Sequence, residues 1–214
     1  MSRSSRVVIA VAAVLLGALY VLPLWRIDLV APQYPEGLGL RILVDGIIGR
    51  SENDLNSINN LNHYIGMQRI EPNAIPELRY MPWIVAGLIA LGLGAAASGR
   101  RALLYAWLAT LVVAAAAGLA DFWRWGYDYG HNLDPEAAIQ VPGMSYQPPL
   151  IGPKTLLNFK AESWPDLGGL LAFAVVAAAG GVAVVEFRRA RRARTGAPAE
   201  PKLASPSDAR ALVA

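Results

Sequence analysis

His63 and Met67 are the pair of residues in this chain whose types and spacing best suit metal chemistry. They lie four positions apart in the stretch DLNSINNLNHYIGM, which begins at Asp54. Its apolar residues recur at helical spacing, so the sequence predicts an Asn-rich helix from Asp54 to about Met67. Side chains four apart share one face of a helix, and an imidazole with a thioether suits soft, monovalent copper. The spacing therefore predicts part of a copper(I) site.

Two further soft ligands, His131 and Met144, lie in another polar stretch, residues 121–166. We hypothesise that His63, Met67, His131 and Met144 bind copper(I), and we predict no other cofactor. The plainer alternative is that His63 packs or caps within a polar Asn face and that Met144 fills a gap in an apolar core, as flexible thioethers do. Mutual distances distinguish the alternatives, because copper needs two to four of His63, Met67, Met81, His131 and Met144 to converge.

Catalytic patterns are missing from the sequence. There is no cysteine, which excludes thiolate metal sites, a cysteine nucleophile and disulfides. Neither a G-x-S-x-G nor an H-E-x-x-H motif occurs, and no phosphate-binding glycine loop is found. Asp128, Asp134 and Glu136 are acidic candidates without an accompanying nucleophile. We therefore predict that the chain by itself is not an enzyme.

Four uncharged apolar runs set the fold class. The chain is 55% hydrophobic and only 16% charged, against about 25% charged residues in an average soluble domain. A 19-residue helix reaches roughly 28 Å, close to the ~30 Å hydrocarbon thickness of a bilayer. The sequence therefore predicts an all-α membrane protein, a four-transmembrane-helix bundle. The runs are Val7–Trp25, Met81–Gly99, Ala102–Ala120 and Leu167–Val185.

The first run follows Arg3 and Arg6, so a signal peptide is an alternative; without a small-x-small cleavage pattern, we expect an uncleaved anchor. Small residues recur along the other runs and predict close helix contacts, although composition alone would also produce them. The stripes are Ala90, Gly94 and Ser98; Ala106, Thr110, Ala114 and Gly118; and Gly168–Gly169, Ala172, Gly180 and Gly181.

Charge predicts the orientation. Residues 1–6, the turn at 100–101 and the tail 186–214 together carry 11 Lys/Arg and 3 Asp/Glu, a net +8, whereas residues 26–80 carry −2 and residues 121–166 carry −3. The positive-inside rule places the basic segments in the cytoplasm of a bacterial inner membrane and both long loops outside. We expect the tail to contact lipid headgroups and to be disordered after about Thr195. The basic balance thus reflects topology and not nucleic-acid binding.

Both outer loops, 26–80 and 121–166, are rich in aromatic residues and proline, which predicts order rather than a passive linker. Asp45-Gly46 predicts a short hairpin in the first loop. We expect the two loops to pack as one cap, because each is tethered at both ends by adjacent helices. An interfacial belt is predicted from five tryptophans at the outer helix ends: Trp25, Trp83, Trp123, Trp125 and Trp164.

Four blocks of the outer loops resemble a known family. They read APQYPEGL from Ala31, LNHYIGM from Leu61, YDYGHNLDP from Tyr127 and VPGMSYQPPLIGPKTLLNF from Val141. They are similar to a small polytopic membrane protein encoded with Sec-exported nitrous oxide reductase and its copper-assembly factors. The resemblance covers roughly half the chain and implies maturation of, or copper or electron supply to, a periplasmic copper enzyme. It carries over no catalytic residues.

Two function classes follow. The first is a non-enzymatic accessory protein that holds or hands over copper outside the membrane. The second is a structural or docking subunit that binds a membrane or periplasmic protein, as part of a larger complex or in a pair, without metal. A weaker third option is a membrane subunit that contributes to quinol oxidation. For the docking class we name five candidate contact residues: Tyr146, Pro148, Pro149, Asn158 and Phe159.

The charge split gives a first testable prediction. Reporter fusions after Asn73 and after Gln140 should both show an external location, because both positions lie in acidic loops opposite the basic segments. Fusions at Arg100 should report the cytoplasm and serve as the control. A cytoplasmic signal from either loop fusion would contradict the orientation.

Overall fold

The computed structural model describes residues 1–156 and 158–195, which form five α-helices and one antiparallel sheet. The helices are α1 (Arg3–Leu15), α2 (Asp54–Ile65), α3 (Glu77–Ser98), α4 (Arg101–His131) and α5 (Leu167–Thr195). The strands are β1 (Trp25–Ala31), β2 (Tyr34–Ile42), β3 (Ile47–Gly49), β4 (Gly152–Leu156) and β5 (Phe159–Pro165). Short 3-10 turns cover Leu16–Tyr20 and Pro72–Ala74. The predicted all-α class is therefore wrong in one respect, because a sheet accompanies the helices.

Within the described residues, four helical segments are long and apolar enough to cross a membrane, as predicted: α1 with its 3-10 extension, α3, α4 and α5. Their bounds differ from those of the apolar runs. The first segment ends at Tyr20, and the chain enters β1 at Trp25. α4 continues to His131 instead of ending at Ala120, because residues 121–131 contain no proline and keep an aromatic pattern that suits a helix.

The four segments form a closed bundle in which α1 and α4 each pack against both α3 and α5. Trp107 of α4 is fully buried there, and its indole N–H donates to the carbonyl of Leu88 at 2.8 Å. A Cβ at Gly92 would lie 2.7 Å from the Trp107 ring and 2.8 Å from the Ala13 methyl carbon. Gly92 therefore sets how closely α1, α3 and α4 approach.

The predicted small-residue stripes on α3 and α4 do not make these contacts. Gly94 and Gly118 have open space where a Cβ would be, and most other members of the two stripes are exposed: Ala90, Ser98, Ala106 and Thr110. Several faces of these helices carry small residues, so large apolar side chains such as Trp107 decide which face turns inward. On α5, Gly180 and Gly181 also have open space, whereas Gly168 and Gly169 lie close to the backbone of residues 22–24, the chain that leaves the first bundle segment.

The sheet has the strand order β3-β2-β1-β5-β4. Its central strand β1 pairs with β2 and with β5, the latter from Trp25↔Pro165 to Val30↔Lys160. Strands β1 to β3 come from the first inter-helix segment, and β4 and β5 come from the second. Both segments thus share one sheet, which, with α2 and the end of α4, we call the cap.

The predicted hairpin is present between β2 and β3, with Ile42 opposite Ile47. Leu43 N donates to Gly46 O at 2.8 Å, so the turn centres on Val44 and Asp45, one residue earlier than Asp45-Gly46. Val44 is 1% exposed and belongs to the core of the bundle. Burial of this apolar side chain explains the shift and fixes the hairpin tip in the bundle.

The junctions between bundle and cap lie side by side. Where β5 passes into α5, Asp166 N donates to Leu24 O at 3.1 Å and Gly168 N donates to Pro23 O at 2.8 Å. A Cβ at Gly168 would lie 2.7 Å from the carbonyl oxygens of both Leu22 and Pro23. Glycine is therefore required where α5 begins beside the chain that leaves α1.

Glu186, which begins the predicted basic tail, is instead a fully buried residue of α5. Its carboxylate accepts hydrogen bonds from Ser2 N at 2.8 Å, Ser5 Oγ at 2.7 Å and Arg101 Nε at 3.1 Å. It joins the start of α1, the start of α4 and the end of α5. The tail that we expected to be disordered, residues 196–214, lies outside the described residues.

Replacing Glu186 by alanine should lower the free energy of unfolding by about 1–3 kcal/mol, because Ser2 N and the buried Ser5 hydroxyl lose their hydrogen-bond acceptor. Glu162→Ala is the control, since Glu162 forms an exposed ion pair with Lys160 at 2.7 Å and such pairs contribute little. Thermal unfolding in detergent micelles, followed by circular dichroism, measures both. Equal effects of the two changes would show that the Glu186 contacts do not hold this end of the bundle.

Candidate functional site

The end of α4 carries two rows of aromatic side chains into the cap. One row faces the interior: Phe122 lies 5.6 Å from Trp25 between ring centroids, and Trp125 lies 4.3 Å from Tyr129. The other row is exposed and consists of Trp123, Tyr127 and His131, with centroid distances of 5.6 and 3.9 Å. Trp123, Tyr127 and His131 recur every four residues, a spacing that is typical of one face of a helix.

A segment of the second loop crosses α4 at two buried glycines of this helix, Gly126 and Gly130. Tyr146 N donates to Gly130 O at 2.9 Å, and a Cβ at Gly126 would lie 3.7 Å from Pro148. A Cβ at Gly130 would overlap the backbone of Gln147. The absence of side chains at these positions lets the segment lie directly on the helix and bury Tyr146, which is 2% exposed.

Between the inner face of the sheet, α2 and the end of α4 lies an apolar cavity of about 80 Å³. Its lining includes Ile27, Leu40, Ile58, Met67, Trp125 and Tyr146. The sheet, α2, the end of α4 and the second loop therefore all contribute side chains to this cavity.

The structure brings together the two methionines proposed as copper ligands. Met67 follows α2 and Met144 lies in the second loop, yet both pack against the same small core of Ala31, Tyr146 and Phe159. Two methionines from distant parts of the sequence thus pack, half-buried, against one apolar cluster.

The two histidines lie elsewhere, on the surface. His63 is exposed on α2, with its ring 6.0 Å from that of Tyr64. His131 is exposed at the end of α4, and its Nδ1 lies 2.9 Å from the Tyr127 carbonyl oxygen. No three His, Asp or Glu side chains group as a metal site within residues 1–156 and 158–195.

Backbone pairing nevertheless joins the segments that carry these residues. Asp134 N donates to Gly66 O at 2.8 Å, and Ile139 N donates to Tyr64 O at 2.9 Å. Gly66 has φ 80° at the end of α2, and a Cβ there would lie 3.0 Å from the backbone of Asp134. The chain that follows His131 therefore lies against the turn between His63 and Met67.

Of the residues predicted to bind a partner, Tyr146 and Phe159 are buried in the cap, Pro148 and Pro149 are half-buried, and Asn158 is exposed in the turn between β4 and β5. The predicted tryptophan belt also divides. Trp83, Trp123 and Trp164 are exposed, whereas Trp25 is buried in the cap and Trp125 lines its cavity.

The opposite face of the sheet holds an ion-pair network that sequence reasoning missed. Asp28 on β1 lies 3.1 Å from Arg41 and 3.9 Å from both Arg26 and Arg50. Arg41 also pairs with Asp166 at 3.3 Å. Charged and apolar residues alternate in WRIDL, a pattern typical of a strand with one charged face, and it could have predicted this network. The Asp28–Arg41 pair links β1 to β2, and the Arg41–Asp166 pair links β2 to the start of α5.

The sequence matches no protein-family model, and no curated protein shows significant similarity to it. The structure itself defines the class: a four-helix membrane protein with a mixed strand-and-helix cap at one end of the bundle.

Gly130→Ala should destabilise the protein by about 1–3 kcal/mol, because the new methyl group overlaps the Gln147 backbone and the crossing segment must move. Gly118→Ala is the matched control on the same helix, since a Cβ there meets open space. It should be neutral or stabilising, as alanine favours helix more than glycine does. Thermal unfolding of both variants in micelles tests this, and equal stability of the two would contradict the crossing.

Proposed function

We propose that this protein is a membrane accessory protein that holds copper(I) in its cap and supplies it to a copper enzyme outside the cytoplasm. The observation that carries the proposal is the packing of Met67 and Met144 into one apolar cluster. The blocks LNHYIGM and VPGMSYQPPLIGPKTLLNF, which resemble the nitrous oxide reductase-associated family, contain the same two methionines.

The chemistry of this cluster suits a soft ion. Thioethers are neutral, polarisable ligands that select copper(I) over harder divalent ions. An ion of single charge also costs less to transfer into apolar surroundings than a divalent one. Met67 and Met144 would hold the ion inside the cap. His63 and His131, both exposed, would offer imidazole nitrogens to copper that arrives from or leaves to the solvent.

The docking class has a separate observation in its favour. The exposed row of Trp123, Tyr127 and His131 presents aromatic surface outside the cap, with Trp123 51% and Tyr127 43% exposed. Aromatic side chains are enriched at the centres of protein interfaces. The two functions are compatible, because delivery of copper requires contact with the receiving enzyme.

Titration of purified protein with copper(I) against a competing chelator tests the copper function. Met67→Leu and Met144→Leu should each weaken binding at least about tenfold, because each change removes a sulfur ligand while keeping an apolar side chain of similar volume. Met81→Leu is the control: Met81 is half-buried where the bundle meets the cap and is not part of the Met67–Met144 cluster.

Circular dichroism should show unchanged folding in all three variants. Affinity in the Met67→Leu/Met144→Leu double variant equal to that of the wild type would reject the copper function. Docking would then be the function that the cap supports.

A further inference from the structure

The end of the bundle opposite the cap carries many more cations than its own carboxylate can neutralise. Segments 1–6, 99–101 and 186–193 contain eight arginines and a single acidic residue, Glu186. Arg101 directly precedes the apolar run of α4, and Glu186 directly follows that of α5. Both residues therefore lie at the depth where the hydrocarbon of a bilayer gives way to lipid headgroups. Net charge alone predicts only diffuse attraction between this end and an anionic lipid surface.

Two arginines from different helices contact the one buried carboxylate. Arg101, at the start of α4, donates from Nε to Oε2 of Glu186 at 3.1 Å, and Arg189, near the end of α5, donates from Nη1 to Oε1 at 3.4 Å. Ser2 N and Ser5 Oγ also donate to Oε1. The carboxylate carries one negative charge and the two guanidinium groups carry two positive charges. One positive charge of this pair of arginines is therefore left for another anion.

Both arginine side chains are accessible beside the carboxylate. The side chain of Arg101 is 42% exposed and that of Arg189 is 51% exposed, whereas that of Glu186 is 0% exposed. A guanidinium group has five N–H donors, and each contact with Glu186 uses one nitrogen. The buried carboxylate thus holds two arginine side chains next to each other at the surface. This arrangement lowers the conformational entropy that the side chains lose when an anion binds.

We propose that Arg101 and Arg189 together bind the phosphate of one anionic phospholipid headgroup where the start of α4 meets the end of α5. Guanidinium groups match the geometry of phosphate oxygens and form charge-assisted hydrogen bonds with them. Charge and depth select the occupant, because the pair has positive charge in excess and lies level with the phosphates of the surrounding lipids. The site lies at the other end of the molecule from the methionines and is independent of the copper function.

Native mass spectrometry of the full-length protein tests the site by counting the lipids that stay bound. The protein is purified in a nonionic detergent and titrated, at constant ionic strength, with phosphatidylglycerol or with phosphatidylcholine of identical acyl chains. The first phosphatidylglycerol should bind at least about tenfold more tightly than the first phosphatidylcholine, because the choline group cancels the charge of its phosphate. Equal affinity for the two lipids would overturn the proposal.

Neighbouring arginines supply variants of equal net charge. Arg188 is exposed, and of this adjacent pair only Arg189 contacts Glu186 in the described part of the chain. Arg188→Gln should weaken phosphatidylglycerol binding about fivefold at most, the loss expected for one diffuse charge. Arg189→Gln should weaken it about tenfold further, because it also removes a charge-assisted hydrogen bond. Arg101→Gln and Arg100→Gln form a second pair with the same expectation.

Melting temperatures in lipid-free micelles show whether each variant folds. Arg189→Lys keeps the charge and can still pair with Glu186, so it replaces Arg189→Gln if that variant unfolds. It should also bind phosphatidylglycerol more weakly than the wild type, because an ammonium group cannot offer two parallel N–H donors to a phosphate.

Equal losses of affinity in Arg188→Gln and Arg189→Gln would overturn the proposal, since the attraction would then be diffuse. Inorganic phosphate is the second probe, at the same ionic strength. If it raised the melting temperature as much as phosphatidylglycerol does, the site would bind free phosphate and the lipid would be excluded. The Met67→Leu/Met144→Leu double variant should keep the wild-type lipid affinity, so failure of the copper function and failure of this inference are separately visible.

Discussion

Hydrogen bonding between β1 and β5 is the interaction on which the rest of the molecule depends. β1 follows the first bundle segment after a short connection, and β5 leads directly into α5, which packs beside it. The central strand pair therefore continues a helix pair from the bundle into the cap. The pairing of Trp25 with Pro165 and the bonds from Asp166 and Gly168 to Leu24 and Pro23 make the junction continuous. A shift in register here would turn each strand face over, exposing the cap interior and burying the Asp28 network.

The interior of the cap is built by segments that must reach the same space from different directions. α4 extends from the bundle into the cap and carries Trp125 there. Two glycines on that helix allow the Tyr146 segment to lie against it. The turn after β2 reaches the other way and places Val44 in the bundle core. Packing thus couples the two parts in both directions. The same packing places Met67 and Met144 against one apolar cluster. The candidate site consequently lies where the sheet, α2, α4 and the second loop meet.

Sequence patterns predicted the membrane helices and the Asn-rich helix well, because these depend on local length, apolarity and spacing. They missed most of the sheet. The central β1–β5 pairing joins residues more than a hundred positions apart, such as Ile27 and Ser163, and the local β1–β2 and β4–β5 pairings carry no Asn-Gly or Asp-Gly turn signal. Local patterns also do not show which distant residues meet in the candidate functional site. One cluster for Met67 and Met144 followed from no local pattern, although both were named as candidates. Glu186 was assigned to the basic cytoplasmic tail because its charge ends the last apolar run, whereas no local pattern shows that Ser2, Ser5 and Arg101 surround it in space.

The strand order has a consequence for biosynthesis. β2 is made immediately after β1 and can cover one side of it at once, but the strand for the other side is made only near residue 165. During most of translation and membrane insertion, the central strand therefore has a bare edge with free peptide groups, which is the kind of edge that recruits foreign strands. Only pairing with β5, which directly precedes the last membrane helix, closes it. A chain truncated before β5 would therefore keep an unpaired edge on β1, whereas in the complete cap β1 is paired on both sides.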